Sequence, residues 1–438
     1  MGAPSLGRYC DQLRACQPLT VLGRVSQVVG LVAEVRGLEL PVGASVFLHL
    51  DEGPVLGEVV GFKGQGVQIM PYADTRGLRP GCLVSSAGGA GLVKVGQALL
   101  GRVLDGLGNP VDGGPMPEWD QLYPLYRQAP SAMGRPRISQ PVDVGVKVIN
   151  ALLTLGKGQR IGIFAGSGVG KSTLMSMIAR HTQADISVIG LVGERGRELR
   201  EFIERDLGPE GLARSVVIVA TSDQPALVRM RAAYLATAVA EYFRDQSRDV
   251  ILMMDSVTRF AMAGREVGLS IGEPPTTKGY TPSVFAQLPR LLERAGTSEG
   301  GGSITGIYTV LVEGDDVTEP VADAMRSILD GHFVLTRALA DRGHYPAIEL
   351  LGSISRLARD INPPEVTTAA RRLTELLAAY RRNEDLINIG AYADGSNPVI
   401  DRAIRMMERI NKFLTQPVEK GVDITASRRE LVQLMAQK

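Results

Sequence analysis

The chain has 438 residues, 44% of them apolar and 22% charged, a length beyond one hydrophobic core that predicts two or three domains. Lysine and arginine (48) nearly cancel aspartate and glutamate (47), so the charge balance gives no electrostatic footprint for nucleic acid. Three cysteines without metal spacing, no basic-then-apolar leader in residues 1–18 and no apolar run of about eighteen residues argue against a disulfide scaffold, a secretion signal and a membrane-spanning helix, and point to the cytoplasm.

In chain order, Leu6, Tyr9, Cys10, Leu13 and Cys16 fall at helical spacing within Ser5–Cys16, which predicts a short amphipathic helix in segment 1–18. Such a helix either folds back on its own domain or docks on a partner. Segment 19–95 carries short β-rich runs, Thr20–Val25, Ser45–Leu50, Val55–Val60 and Gly66–Met70, separated by glycine, proline and aspartate, the pattern of a small antiparallel barrel. In segment 96–365, apolar strands (Arg160–Phe164, Ile186–Val192, Ser215–Ala220, Val250–Met254, Ser303–Leu311 and His332–Thr336) alternate with helical runs (Ser172–His181, Glu198–Asp206 and Ala226–Arg244). That alternation predicts βαβ units and a mostly parallel sheet covered on both faces. After Pro363-Pro364 the chain reads as helix, over Ala369–Asn383, Pro398–Leu414 and Ser427–Ala436, which makes 366–438 a helical domain.

The strongest chemical signal is Ala165-Gly166-Ser167-Gly168-Val169-Gly170-Lys171-Ser172, followed by Thr173, between an apolar strand and a helix. Glycines let the backbone wrap so that successive N–H groups face phosphate oxygens, and the helix adds the positive end of its dipole. In this P-loop, Lys171 would reach the β- and γ-phosphates of ATP and Ser172 would place its hydroxyl on Mg²⁺. The strand Ile251–Met254 delivers Asp255 at its carboxyl edge, where it can hold Mg²⁺ directly or through water. Gly193-Glu194-Arg195-Gly196-Arg197-Glu198 follows another strand, and a carboxylate there can activate the attacking water. Residue type alone leaves Glu194 and Glu198 nearly equal, and nearness to the strand end favours Glu194.

These motifs together resemble the catalytic subunits of rotary ATP synthases and their secretion relatives. The likeness runs from about Gly23 to Leu414 and includes Gly101–Pro110, Tyr345-Pro346-Ala347-Ile348 and Ser353-Ile354-Ser355-Arg356. It implies an N-terminal β-barrel, a RecA-like α/β P-loop domain and a C-terminal α-helical domain. It also implies that Glu194 activates water, that Arg195 is an adjacent site arginine, and that Tyr345 stacks on adenine. Arg356 matches an arginine finger presented to a neighbouring subunit's nucleotide, a device worth ~10³ or more in rate. The family often closes the other side of the base after a Gln-Pro pair, whereas Gln416-Pro417 is followed here by the aliphatic Val418.

Gly272–Phe285 and Leu288–Gly296 look like type III secretion ATPases, and Glu384–Tyr392 with Gly30-Leu31-Val32 resembles their flagellar branch. The resemblance implies a homohexamer that couples ATP-Mg hydrolysis to chaperone release, unfolding and export of flagellar proteins at the cytoplasmic face of the inner membrane. Implied partners are a regulatory stator-like protein at the N-terminal helix, a central stalk protein against a loop over Gly264–Tyr280, the export gate and chaperone–substrate complexes. An injectisome ATPase and a rotary ion-coupled synthase subunit are the neighbouring readings. An RNA-translocating hexamer is disfavoured, because Thr20–Val95 holds only Phe47, Phe62 and Tyr72 as aromatics and Lys63 and Lys94 as lysines. An inert nucleotide-binding subunit is disfavoured by the presence of Glu194.

Overall fold

Residues 21–88, 91–312 and 319–437 are described by the computed structural model. The predicted helix over Ser5–Cys16 lies outside them. Six strands come first: β1 (Leu22–Val29), β2 (Val32–Arg36), β3 (Ser45–Leu50), β4 (Gly53–Lys63), β5 (Gly66–Pro71) and β6 (Leu83–Ser86). They form a closed antiparallel barrel in the order β1-β2-β5-β4-β3-β6, with β6 returning to pair with β1. Along β3, Val46 and Leu48 are buried while Phe47 and His49 point outward, the period-two pattern of a strand with one wet face. Val25, Val35, Val46, Leu48, Val59, Ile69 and Val84 fill the interior. Closure leaves no unpaired sheet edge.

The second part is an α/β sheet built from β7 (Val103–Asp105), β8 (Arg160–Ala165), β9 (Ile186–Glu194), β10 (Ser215–Thr221), β11 (Asp249–Asp255), β12 (Ser303–Leu311), β13 (Gly331–Leu335) and β14 (Ile354–Ser355). Their spatial order is β14-β13-β8-β12-β11-β9-β10-β7. All pairings from β13 to β7 are parallel, and β14 adds an antiparallel edge. Helices α1 (Lys171–His181), α2 (Ala226–Arg244), α3 (Val257–Ser270), α4 (Pro282–Leu292) and α5 (Pro320–Ile328) connect the strands. Strands covered on both faces must be apolar on both, which is why β11 reads Val250-Ile251-Leu252-Met253-Met254 without a polar break. The chain leaves β8 toward β9 on one side and reaches β13 on the other, so the carboxyl end of β8 is a topological switch point, where ligands bind in such sheets.

Helices α6 (Pro364–Asn388), α7 (Pro398–Leu414) and α8 (Ile424–Ala436) complete the chain. Leu373, Leu376, Met406, Ile410, Phe413 and Leu431 from these helices share one hydrophobic cluster with Ile161, Ile163, Val169 and Met175 around the P-loop strand. By packing, the chain divides into two compact units, one holding the barrel with Val267–Glu273 and the other Val93–Glu266 with Pro274–Lys438. Among the described residues no helix is long and apolar enough to cross a membrane.

Three local expectations need correction. The loop expected over Gly264–Tyr280 begins only after Ser270, because α3 continues through Gly264 and Gly268. Gly264 is there for space, since a Cβ would sit 3.2 Å from the Val284 methyl of α4. The single helix expected over Glu198–Asp206 is an α-turn pair, Gly196–Glu201, that widens into π turns over Phe202–Leu207 and buries Phe202 and Leu207. Helix α6 starts at Pro364 rather than Ala369, because proline lacks only an N–H that the first turn leaves unbonded anyway.

Candidate active site

Strand β8 ends at Ala165 and the chain turns through residues 166–170 into α1. Val169 is the buried side chain of that turn and anchors it in the core, while Ser167 and Gly168 are exposed. Gly170 closes the turn at φ +94°, a left-handed conformation that disfavours a side chain, and a Cβ there would lie 3.3 Å from the Tyr345 ring. Arg337 donates from Nη2 to the Ser167 carbonyl at 2.8 Å and braces the loop from outside. No side chain caps the start of α1, which leaves its leading N–H groups to a ligand or to water. Ser172 is exposed at the first turn of that helix, and Thr173 follows it half-buried.

Lys171 reaches back over the carboxyl edge of the sheet. Its Nζ donates to Asp255 Oδ1 at 2.6 Å and to Glu194 Oε1 at 3.4 Å. The three groups come from α1, the end of β11 and the end of β9, and strand β12 separates β11 from β8. The side chains of Lys171, Asp255 and Glu194 are 11%, 5% and 17% exposed. Burial pushes the Lys171 ammonium toward neutrality, but the Asp255 and Glu194 charges outweigh it and hold its pKa above the ordinary lysine value. Burial, and then the neighbouring Asp255 charge, raise the Glu194 carboxyl above its ordinary value against the opposing pull of Lys171.

Glu194 is aimed by the residue before it. Gly193 sits at φ +74°, and a Cβ on it would come within 2.7 Å of Arg259 Cβ. The same place carries a bulge in the β9–β10 ladder between Val192 and Glu194. Bulges re-aim side chains at strand ends. The alternative carboxylate, Glu198, is 46% exposed and pairs with Arg195 at 3.4 Å, on the solvent side. Burial therefore separates two glutamates that the sequence left nearly equal. Arg195 itself is 80% exposed and does not join the lysine–carboxylate cluster.

Two residues not singled out from sequence sit at this site. Arg259, on α3 four residues after Asp255, lays its side chain along Gly193, and its buried Nε has no hydrogen-bond partner. Thr309, buried near the carboxyl end of β12, donates to Asp255 Oδ1 at 2.7 Å. A basic residue one helical turn beyond the strand-end carboxylate Asp255 was the available signal for Arg259. A threonine inside a strand carried none.

Tyr345 is 38% exposed beside the P-loop, and its carbonyl accepts from the backbone N–H of Gln416 at 3.0 Å. The Gln416 side chain accepts from Lys147 N at 2.7 Å and donates to the carbonyls of Gly145 at 2.8 Å and Lys420 at 2.6 Å. Val418 is half-buried against the core, and its carbonyl lies 3.2 Å from His181 Nε2 at the end of α1. Arg356 stands apart. It is exposed, and its N–H donates to Asp330 O at 3.1 Å, while Asp330 N donates to Arg160 O at 2.9 Å. It thus lies at the amino end of β8, with roughly 17 Å of strand between it and the P-loop end.

Mg²⁺ prefers one or two carboxylates completed by water and phosphate oxygens. Asp255 and the Ser172 hydroxyl suit that preference, because the Lys171 and Thr309 bonds both fall on Oδ1 and neither occupies Oδ2. Among the described residues no cluster of three or more histidine, cysteine or acidic side chains forms an all-protein metal cage.

Models of the ATP synthase alpha/beta family match this chain, the nucleotide-binding domain over residues 145–355 and the beta-barrel domain over 25–88. A model of the T3SS EscN ATPase C-terminal domain matches residues 362–433. The "Flagellum-specific ATP synthase" of Bacillus subtilis is 53% identical over 415 residues, covering 94% of each chain. The solved assembled ATPase EscN from the enteropathogenic E. coli type III secretion system superposes with a TM-score of 0.90 at 44% identity, over 94% of this chain and 100% of that one. EscN in complex with its central stalk EscO superposes at 0.88 with 43% identity, over 94% of this chain and 100% of the other.

Proposed function

The chain belongs to the ATP synthase alpha/beta family, as an ATP-hydrolysing enzyme of its flagellar and type III secretion branch, and from that membership we propose that it drives flagellar protein export as a self-assembling ATPase. The observation that carries the reading is the buried cluster of Lys171, Asp255 and Glu194 at the carboxyl edge of a parallel sheet, beside an uncapped helix start. Full-length likeness to a flagellum-specific relative favours the flagellar task.

In this reading the N–H groups of residues 166–173 hold the phosphates of ATP, and Tyr345 stacks on the base. Lys171 leaves its two carboxylates for the β- and γ-phosphate oxygens. Ser172 and Asp255 would hold Mg²⁺, which would neutralise negative charge on the phosphates. Glu194 accepts a proton from water as the water oxygen attacks the γ-phosphorus. The bond to the β-phosphate oxygen breaks, ADP leaves with the electron pair, and inorganic phosphate is the second product. Arg259, packed against Gly193 with its buried Nε unbonded, adds a positive charge beside the strand end that carries Glu194. Arg356 completes a neighbour's site, and Arg195 lies at its margin.

The assembly is a homohexamer around a central stalk, a reading supported by likeness to the assembled EscN and to its complex with the central stalk EscO. It works at the cytoplasmic face of the inner membrane, with the segment before residue 19 engaging a stator-like regulator. Barrel, nucleotide and helical parts divide near residues 95 and 365. Release of chaperones and unfolding of cargo at the export gate follow from ATP turnover.

The direct test is phosphate release by the purified full chain across a range of protein concentrations, beside Lys171→Ala. Specific activity is expected to rise with concentration and to vanish in the variant; activity that stays flat from dilute to concentrated protein would count against self-assembly. A second expectation concerns pH. Glu194 must be ionised to accept a proton, and its pKa lies above the ordinary 4.5 through burial first and the Asp255 charge second. The acid limb of kcat/KM, which reports the free enzyme, is therefore expected above that of an ordinary glutamate, with activity present above it and lost as pH falls through it. A pH–rate profile flat down to pH 4.5 would contradict the role of Glu194.

A further inference from the structure

Strand β12 lies between the P-loop strand and the strand that ends in Asp255, so Lys171 passes the carboxyl end of β12 to reach that carboxylate. Most of β12 is apolar, as its double burial requires, yet Thr309 stands fully buried near its carboxyl end. Its Oγ1 is 2.7 Å from Asp255 Oδ1 and 3.3 Å from the Met254 carbonyl. A hydroxyl has one proton to give, and the shorter, charge-assisted bond to the carboxylate is the stronger of the two.

We propose that Thr309 is a positioning residue for the metal site, fixing the Asp255 carboxylate so that Oδ2 faces Mg²⁺ or its water. The inference rests on the reading of Asp255 as a metal-holding group and deepens it. Lys171 and Thr309 share Oδ1 in the free enzyme. When Lys171 swings to the phosphates, its bond to Oδ1 is lost. Thr309 then remains as the donor that keeps the carboxylate from rotating about its side-chain bond. An orienting partner of a metal-bound carboxylate typically contributes ten- to a hundredfold in metal affinity or activity.

The test compares ADP binding to the full chain with Mg²⁺ and with EDTA in its place, measured by calorimetry. Thr309→Val keeps the shape of the side chain and removes the hydroxyl. It is expected to weaken Mg-ADP binding roughly tenfold to a hundredfold while leaving metal-free ADP binding unchanged, and Thr309→Ser is expected to restore the Mg-dependent part. A merely structural threonine would weaken both forms alike or would not be rescued by serine, and either outcome overturns the proposal. Should the valine variant unfold, Thr309→Ala carries the same comparison with less bulk in the strand. Asp255→Asn separates the two ideas. If it too leaves the Mg-dependent part intact, the metal reading of Asp255 fails; if it removes that part while Thr309→Val does not, only the role of Thr309 fails.

Discussion

Glu194→Gln is expected to bind ATP-Mg as the unaltered chain does and to lose on the order of 10²–10⁴ in kcat, the usual contribution of a positioned general base. The amide keeps the shape of the carboxyl and can still accept from Lys171, so the cluster stays filled. It cannot take a proton from water. Lys171 meanwhile retains its shorter bond to Asp255, at 2.6 Å, which preserves the loop that holds the phosphates. Glu198→Gln is the matched control, because Glu198 faces solvent beside Arg195 and its replacement is expected to leave turnover near normal. Phosphate release measured beside equilibrium nucleotide binding separates the two effects. A Glu194→Gln enzyme that turns over within tenfold of the unaltered chain would remove the carboxylate from the chemistry.

Arg356→Ala is expected to lower kcat by ~10³ or more in assembled protein, with folding and nucleotide affinity little changed, since an arginine finger acts on charge that develops only in the transition state. The exposed side chain, whose one hydrogen bond among the described residues is a long 3.5 Å contact from Nη2 to the Arg326 carbonyl, explains why folding should tolerate the loss. Its position decides how the defect should behave. Arg356 lies at the end of β8 opposite the P-loop, so it cannot serve the nucleotide bound by its own chain. Two inactive variants should therefore rescue each other. Mixed in equal amounts, Arg356→Ala supplies an intact Glu194 and Glu194→Gln supplies an intact Arg356, so roughly a quarter of interfaces in a random ring would carry both. Restored phosphate release on mixing is the expected result, and a mixture as inactive as its parts would mean that the arginine acts within its own subunit or not at all.

What the sequence disclosed follows from how local each signal is. Lys171, Asp255 and Glu194 sit in short motifs whose strand and helix context can be read from neighbouring residues, and the structure brings all three within one ion-paired cluster. The strands of the parallel sheet were legible because double burial keeps most of each strand apolar, as in Val250–Met254 of β11. Tyr345 and Arg356 came only through family likeness. Nothing in their own segments says that one lies beside the P-loop and the other at the far end of β8. Thr309 escaped because its partner is 54 residues away on an adjacent strand, and a threonine is also an ordinary strand former. Helix α3 was misjudged at its end for the opposite reason. Gly264 and Gly268 read locally as a loop, while packing against Val284 makes the first of them a helix residue.

Gln416 gives the edge of the site beside Tyr345 a mechanical character. One residue grips the carbonyl of Tyr345 through its backbone and the 145–147 segment through its side chain, two residues beyond the end of α7. A push on the α6–α7 hairpin is thereby carried to the ring beside the P-loop along a short, stiff linkage of hydrogen bonds rather than through a soft interface. The helical hairpin and the tyrosine loop behave as a lever and its pawl. Torque on one is felt as a displacement of the Tyr345 ring at the other.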